Sequence, residues 1–261
     1  MALIAFASAK GSPGVSVTVA GLAQLWPNRA VVADLDPAGG DTGLRYRAEN
    51  GDPLNPSTGL LSLGAAVRSG QNAALEDHLQ TTAGGMRTLV GVNTPGQVLG
   101  LGPAWQHIAL TLRRAAGYDV LADCGRLTPG SPAMAIIDQA DAVVMVSRGE
   151  LEDIAHVRER LRGLQGSLHL GSIDATPTGI AMVAPASDTR GLSDAEQLMA
   201  SAGLPVRGLG IIAEDRKAAD ALRTESGRNI RRSVLVRSLW DLSQRINELT
   251  TMTGRVRQTA R

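Results

Sequence analysis

The residues best suited to chemistry fall in three short segments. The first is Ala9-Lys10-Gly11-Ser12-Pro13-Gly14-Val15-Ser16. A glycine-rich turn that opens a helix lets backbone N–H groups converge on an anion, and the helix adds the positive end of its dipole. The phosphate-binding pattern of this kind is G-x-x-x-x-G-K-[ST]. Gly14 and Ser16 match it, Ala9 stands at the first glycine, and Val15 stands at the lysine. A charge-assisted hydrogen bond from that lysine is worth roughly 1.5–3 kcal/mol. Its loss weakens phosphate binding by about one to two powers of ten. Pro13 stiffens the turn and removes one donor. The second segment is Asp34-Leu35-Asp36-Pro37 and the third is Asp123-Cys124, each placing carboxylates after an apolar run.

The elements that must position these groups follow from apolar runs and helical spacing. Ala2 to Ala7 predicts a buried strand, Val15 to Leu25 a helix stopped by Pro27, and Ala30 to Ala33 a second strand. Ala38 to Ser57, rich in Gly, Pro, Asn and Asp, predicts a long loop. Further strands are expected at Arg87 to Val92, Tyr118 to Ala122, Ala142 to Ser147, Gly179 to Ala184 and Val206 to Ile212. Helices are expected at Gly59 to Val67, Pro103 to Ala116, Leu151 to Leu164, Ser193 to Ala202, Ala218 to Thr224 and Val234 to Met252. Strands alternating with helices predict an α/β fold, a mostly parallel sheet with helices on both faces. Such sheets bind ligands at the carboxyl ends of their strands, where all three segments fall. With no linker or repeat in view, residues 1–252 are expected to form one domain, and 253–261 a disordered basic tail.

The three segments together resemble the ParA/MinD family of P-loop ATPases, whose deviant phosphate loop reads K-G-G-x-G-K-[ST]-T. Lys10, Gly11, Gly14 and Ser16 carry that likeness. Val31-Val32-Ala33-Asp34-Leu35-Asp36-Pro37 resembles the family's D-x-D-P motif, and Tyr118-Asp119-Val120-Leu121-Ala122-Asp123-Cys124 its Walker B strand. Ala140 to Val146 and Leu204 to Gly208 fit in order and spacing. The resemblance implies a P-loop NTPase-type fold and a nucleotide held by Lys10, Gly11, Ser12, Gly14, Val15, Ser16 and Val17. It implies that Lys10 reaches a partner subunit's phosphates across a homodimer and that Asp36 positions the attacking water. Ser16 would bind Mg²⁺ directly, and Asp123 through a water. The cofactors implied are ATP and Mg²⁺. The chain departs from the family at Val15, at Ala184-Pro185, where a base-reading Asn often follows the strand, and at Ile212-Ala213-Glu214-Asp215, which keeps only the aspartate of a later motif.

Plainer roles exist for several of these residues. Asp34 suits a structural tie between loop and sheet, Asp36 a turn, and Ser16 a helix cap. Cys124 reads as a small buried residue. His78, His107, His156 and His169 show no metal-ligand spacing, and no nucleophile–histidine–acid set stands out.

Composition narrows the function classes. The 261 residues are 43% hydrophobic but only 2% aromatic, so aliphatic side chains must build the core. The net charge of +1 gives no bulk pull toward nucleic acid. From Arg216 onward, however, eleven basic residues face four acidic ones. Arg228, Arg231, Arg232 and Arg237 are the candidate contacts to DNA phosphates, which need no base reading. A solvated arginine face is the alternative. The only lysines are Lys10 and Lys217, so a lysine at the loop stands out from the general usage. One cysteine allows no internal disulfide, which suits a cytoplasmic protein. No run reaches the ~18 apolar residues of a membrane span. The last helix carries Leu235, Leu239, Leu242, Ile246 and Leu249 on one face, which suits packing better than a membrane surface, since its polar face is balanced in charge. The expected function is a nucleotide-gated, dimerising switch that positions or partitions cargo through DNA or a protein adaptor. The alternative is a non-enzymatic scaffold of the same fold, and a small-molecule kinase ranks last because it needs the missing lysine most.

Overall fold

The computed structural model describes residues 1–70, 73–188, 190–224 and 232–259, with no side-chain detail for 223–224 and 252–259. Eight strands form one sheet: β1 (Leu3–Ser8), β2 (Ala30–Asp34), β3 (Gln80–Thr81), β4 (Arg87–Leu89), β5 (Asp119–Arg126), β6 (Ala142–Arg148), β7 (Thr178–Ala184) and β8 (Arg207–Ala213). Their order is β3-β4-β2-β5-β1-β6-β7-β8. Every pairing is parallel except β3 with β4. The central strands are buried on both faces, hence their unbroken apolar runs.

Alternate side chains of β1 feed two separate cores. Leu3, Ala5 and Ala7 join the first, which is built from α3 (Leu60–Arg68), α4 (Pro95–Leu101), α5 (Ala104–Arg113), α6 (Met134–Gln139), α7 (Leu151–Gly163) and α8 (Gly191–Ser201). Ile4 and Phe6 join the second, which packs against α1 (Val15–Leu25), α9 (Arg216–Thr224) and α10 (Val234–Thr259). A two-residue period in the strand thus divides the helices between the faces. Leu235, Leu239, Leu242, Ile246 and Leu249 of α10 are buried in the second core, so that apolar face is spent on the sheet and on α1. Contact with α1 is close: a side chain at Gly21 would press on Leu239. Among the described residues no helix is long and apolar enough to cross a membrane.

Several boundaries differ from the expected ones. The loop after β2 contains a one-turn helix, α2 (Thr42–Arg45). The strand expected to reach Val92 ends at Leu89, and that expected to end at Ala122 runs on to Arg126. The edge strand β3 and helices α4 and α6 were not anticipated. The last helix is assigned through Thr259, past the expected end at Met252.

The chain leaves β1 toward β2 on one side and later crosses to β6 on the other. The crevice at the carboxyl end of β1 is therefore the topological switch point, the standard ligand position in such sheets.

Candidate functional site

The turn between β1 and α1 occupies that crevice. Gly11 (φ 65°) and Gly14 (φ 106°) both lie in the left-handed region, where a Cβ is strained. Gly14 caps α1 without a side chain, and the first helical bond runs from Thr18 N to Gly14 O at 2.9 Å. The N–H groups of Val15, Ser16 and Val17 precede that bond and remain available at the helix end. The Thr18 hydroxyl also donates to Gly14 O, at 2.9 Å. Lys10, Gly11 and Ser12 are exposed, while Ser16 and Val17 are half-buried. Among the described residues Lys10 has no ion-pair partner. Val15 is only 6% exposed and joins the core with Val19 and Leu22. The position that holds a phosphate-binding lysine in the motif therefore acts here as a helix-anchoring apolar residue.

The carboxylates gather beside this turn. In the parallel pairing of β2 with β5, Asp34 lies opposite Asp123. The Gly125 N–H donates to Asp123 Oδ1 at 3.0 Å, and the Ser16 side chain lies near enough to draw the Asp123 carboxyl down. Burial first, then the nearby Asp34 and Asp36 charges, pushes the Asp123 carboxyl up to about 7. Asp34 is also raised, chiefly by burial and further by Asp36. Thr42 N–H donates to Asp34 Oδ2 at 2.9 Å, which ties the loop after β2 to the sheet. Gly40 and Gly91 close over this carboxylate, and a Cβ on either would collide with it. Asp36 sits one turn further out, half-buried, with Ala38 N–H donating to Oδ1 at 2.8 Å. Its carboxyl is raised mainly by burial. It packs against Gly125 (φ 57°), where a Cβ would strike the carboxylate.

A raised carboxyl group costs little when protonated and invites a cation when ionised. Among the described residues no set of three or more His, Cys, Asp and Glu side chains is arranged to hold a metal. Ser16 and Asp123 would hold a Mg²⁺ only together with oxygen donors from outside the chain, the kind of ligand this small hard ion takes. The hydroxyl–carboxylate pair beside an open helix end fits that role. Cys124 is fully buried and its thiol is raised well above its ordinary value by burial, which keeps it inert.

The structure brings together Gly11, Gly14, Ser16, Asp36 and Asp123 of the predicted site, and adds Gly125 and the glycine cradle around Asp34. Gly125 directly follows Asp123-Cys124, and a glycine next to a candidate acid was the signal available for it. Arg232 and Arg237 are exposed, before and within the first turn of α10. Arg228 and Arg231 lie outside the described residues. Two exposed arginines, Arg126 and Arg148, end the strands that flank β1.

No protein-family model matches the chain, and no curated protein matches it in sequence. Solved structures do match. The cell division ATPase MinD of Pyrococcus furiosus aligns with a TM-score of 0.69 at 18% identity, covering 95% of this chain and 99% of that one. A ParA family ATPase from Chlorobium tepidum gives 0.69 at 17% identity, with 93% and 97% covered. The septum site-determining protein MinD of Pyrococcus horikoshii, complexed with Mg-ADP, gives 0.67 at 15% identity, with 97% and 98% covered. At these identities the shared property is the fold: this chain has the P-loop fold of the MinD and ParA ATPases over nearly its whole length.

Proposed function

We propose that the protein is a cytoplasmic, nucleotide-gated switch that binds ATP with Mg²⁺, dimerises, and positions or partitions a cargo with slow hydrolysis. The observation that carries this reading is the open amino end of α1 beside the Ser16–Asp123 pair. The amides of Gly14, Val15, Ser16 and Val17 would cradle the β-phosphate. Ser16 and Asp123 would hold the metal, whose chemistry is to neutralise charge building on the phosphates. Asp36 would hold and orient the attacking water through its carboxylate. Lys10, exposed and without an ion pair among the described residues, would supply to the second subunit the cation that Val15 does not. The neighbouring folds, a cell division ATPase and a ParA ATPase, support the positioning role. The arginine-rich end would offer a platform contact, to DNA without base preference or to a protein adaptor.

A second reading has its own observation. Val15 is buried in the core, so the lysine position of the motif supplies no cation and its side chain holds the helix in place without a ligand. A scaffold that keeps the fold and the dimer face, but binds nucleotide poorly, fits that feature.

Light scattering of the eluting protein, with and without ATP and Mg²⁺, separates the two. The switch predicts a doubling of mass that Lys10→Ala removes, while the stability of the monomer changes by no more than about 0.5 kcal/mol, as for an exposed side chain. A mass indifferent to nucleotide would favour the scaffold.

A further inference from the structure

At the opposite edge of the sheet, two cations converge on one phenol. Arg29 precedes β2, Arg87 opens β4, and Tyr118 precedes β5, so all three lie at the amino ends of neighbouring parallel strands. The Arg29 and Arg87 guanidinium carbons are 4.7 and 4.8 Å from the centroid of the Tyr118 ring. Both side chains also donate to the Tyr118 hydroxyl, Arg29 at 3.0 Å. Two donors within hydrogen-bonding reach of one oxygen hold two positive charges within roughly 6 Å of each other.

Among the described residues neither arginine has an ion pair. The nearest acid along the chain, Asp119, accepts from Ala2 N (2.7 Å), Trp26 Nε1 (2.9 Å) and Asn28 Nδ2 (2.9 Å) instead. The Tyr118 oxygen takes two bonds as acceptor, which leaves its own proton to donate, and no described group accepts it. Tyr118 is only 7% exposed, whereas Arg29 is exposed and Arg87 half-buried. The ring is thus fixed, and the donors around its oxygen open to solvent.

We infer that Arg29, Arg87 and Tyr118 form an anion site for a phosphate group, a strand's length from the phosphate loop. An unshared phenolic proton and two guanidiniums approaching one point offer donors from several directions. A tetrahedral oxyanion presents oxygens in several directions, whereas a carboxylate satisfies a single guanidinium fork in one plane. The anion removes the repulsion between the two arginines and clamps the starts of β2, β4 and β5. The site is independent of the nucleotide reading, since none of its residues belongs to the loop.

Side-chain Nε–H resonances of Arg29 and Arg87, followed by NMR in the full chain, test this. Inorganic phosphate and glycerol phosphate are titrated at constant ionic strength against chloride. Saturable shifts of both resonances with phosphate but not chloride are expected, and the stronger of the two phosphates identifies free ion or ester. Tyr118→Phe keeps the ring and removes the proton, and is expected to weaken binding by about tenfold. Should that variant fold poorly, the exposed Arg29→Gln is expected to abolish the shift at Arg87. Lys10→Ala is expected to change nothing here, which separates this site from the loop. Shifts that chloride reproduces, that fail to saturate, or that survive both substitutions overturn the inference.

Discussion

Strand β5 carries two aspartates, four residues apart, in very different company. At the amino end, Asp119 accepts N–H donors from Ala2, Trp26 and Asn28, with the Met1 ammonium 3.7 Å away. Further along the strand, Asp123 faces two other carboxylates, with the Gly125 N–H as its donor and Ser16 nearby. Both are buried. The first is a structural clamp that closes the N-terminus and the turn before β2 onto the sheet. The second is a carboxylate whose charge the fold opposes, which is how a site for a cation is recognised without its ligand. Burial alone does not tell a structural acid from a functional one; the donors around it do.

That contrast sets opposite signs for the two substitutions. Asp119→Ala strands three N–H donors at the base of the sheet and should have the largest effect, a loss of about 3 kcal/mol or more in urea denaturation at pH 7. Asp123→Asn should stabilise the nucleotide-free protein. Its carboxyl sits at about 7 in the fold, raised from an ordinary value of 3.8. The folded state thus holds its proton more tightly than the unfolded state does. The stabilisation from that proton is full below about pH 4 and is lost as the pH rises through about 7. At pH 8 the substitution should therefore raise stability by an amount on the order of a few kcal/mol, seen as a Tm several degrees higher, and make little difference at pH 4. A variant less stable than the parent at pH 8 would remove Asp123 from the role of an opposed charge.

Two smaller effects sharpen the comparison on the Asp123 side. Val15→Lys restores a cation to the loop and should tighten ATP–Mg²⁺ binding by about ten- to a hundredfold in calorimetry. Because Val15 is buried with Val19 and Leu22, the same change should lower the nucleotide-free Tm. Unchanged affinity would mean that the turn is not a phosphate site. Gly125→Ala places a Cβ against the Asp36 carboxylate at a positive φ, a strain of about 1–2 kcal/mol. It should lower any slow ATP turnover more than it lowers ATP affinity, since it displaces the carboxylate assigned to the water and leaves the loop amides alone.

Much of this fold was legible in the chain. Helix α1 runs from Val15 to Leu25 as expected, because Gly14 opens it and Pro27 forbids its continuation. The strands buried on both faces announced themselves as apolar runs. Short elements did not: β3 has two residues and α6 six, too few for a period to show. Helix α4 carried a readable signal in Thr94-Pro95-Gly96-Gln97, a capping box with proline at the first helical position. The surrounding glycines at 91, 96, 100 and 102 mask its helical pattern. At the site, the motif order pointed to the turns after β1 and β2, where Gly14 and Asp36 lie, and to Asp123, which falls inside β5 rather than at its end. Two properties were not readable: that Asp34 pairs directly across from Asp123, which depends on β5 inserting between β2 and β1, and that Val15 faces the core. Both arise from tertiary packing, on which local spacing is silent.

The claim most exposed to test is that the open end of α1 cradles phosphate with Mg²⁺ at Ser16 and Asp123. Calorimetric titration of the full chain with ATP, in the presence and absence of Mg²⁺, addresses it directly. Saturable binding that weakens at least tenfold without Mg²⁺, and that loses this dependence in Asp123→Asn, is the predicted result. No heat of binding at millimolar ATP with Mg²⁺, from protein whose sheet is intact by circular dichroism, would contradict it.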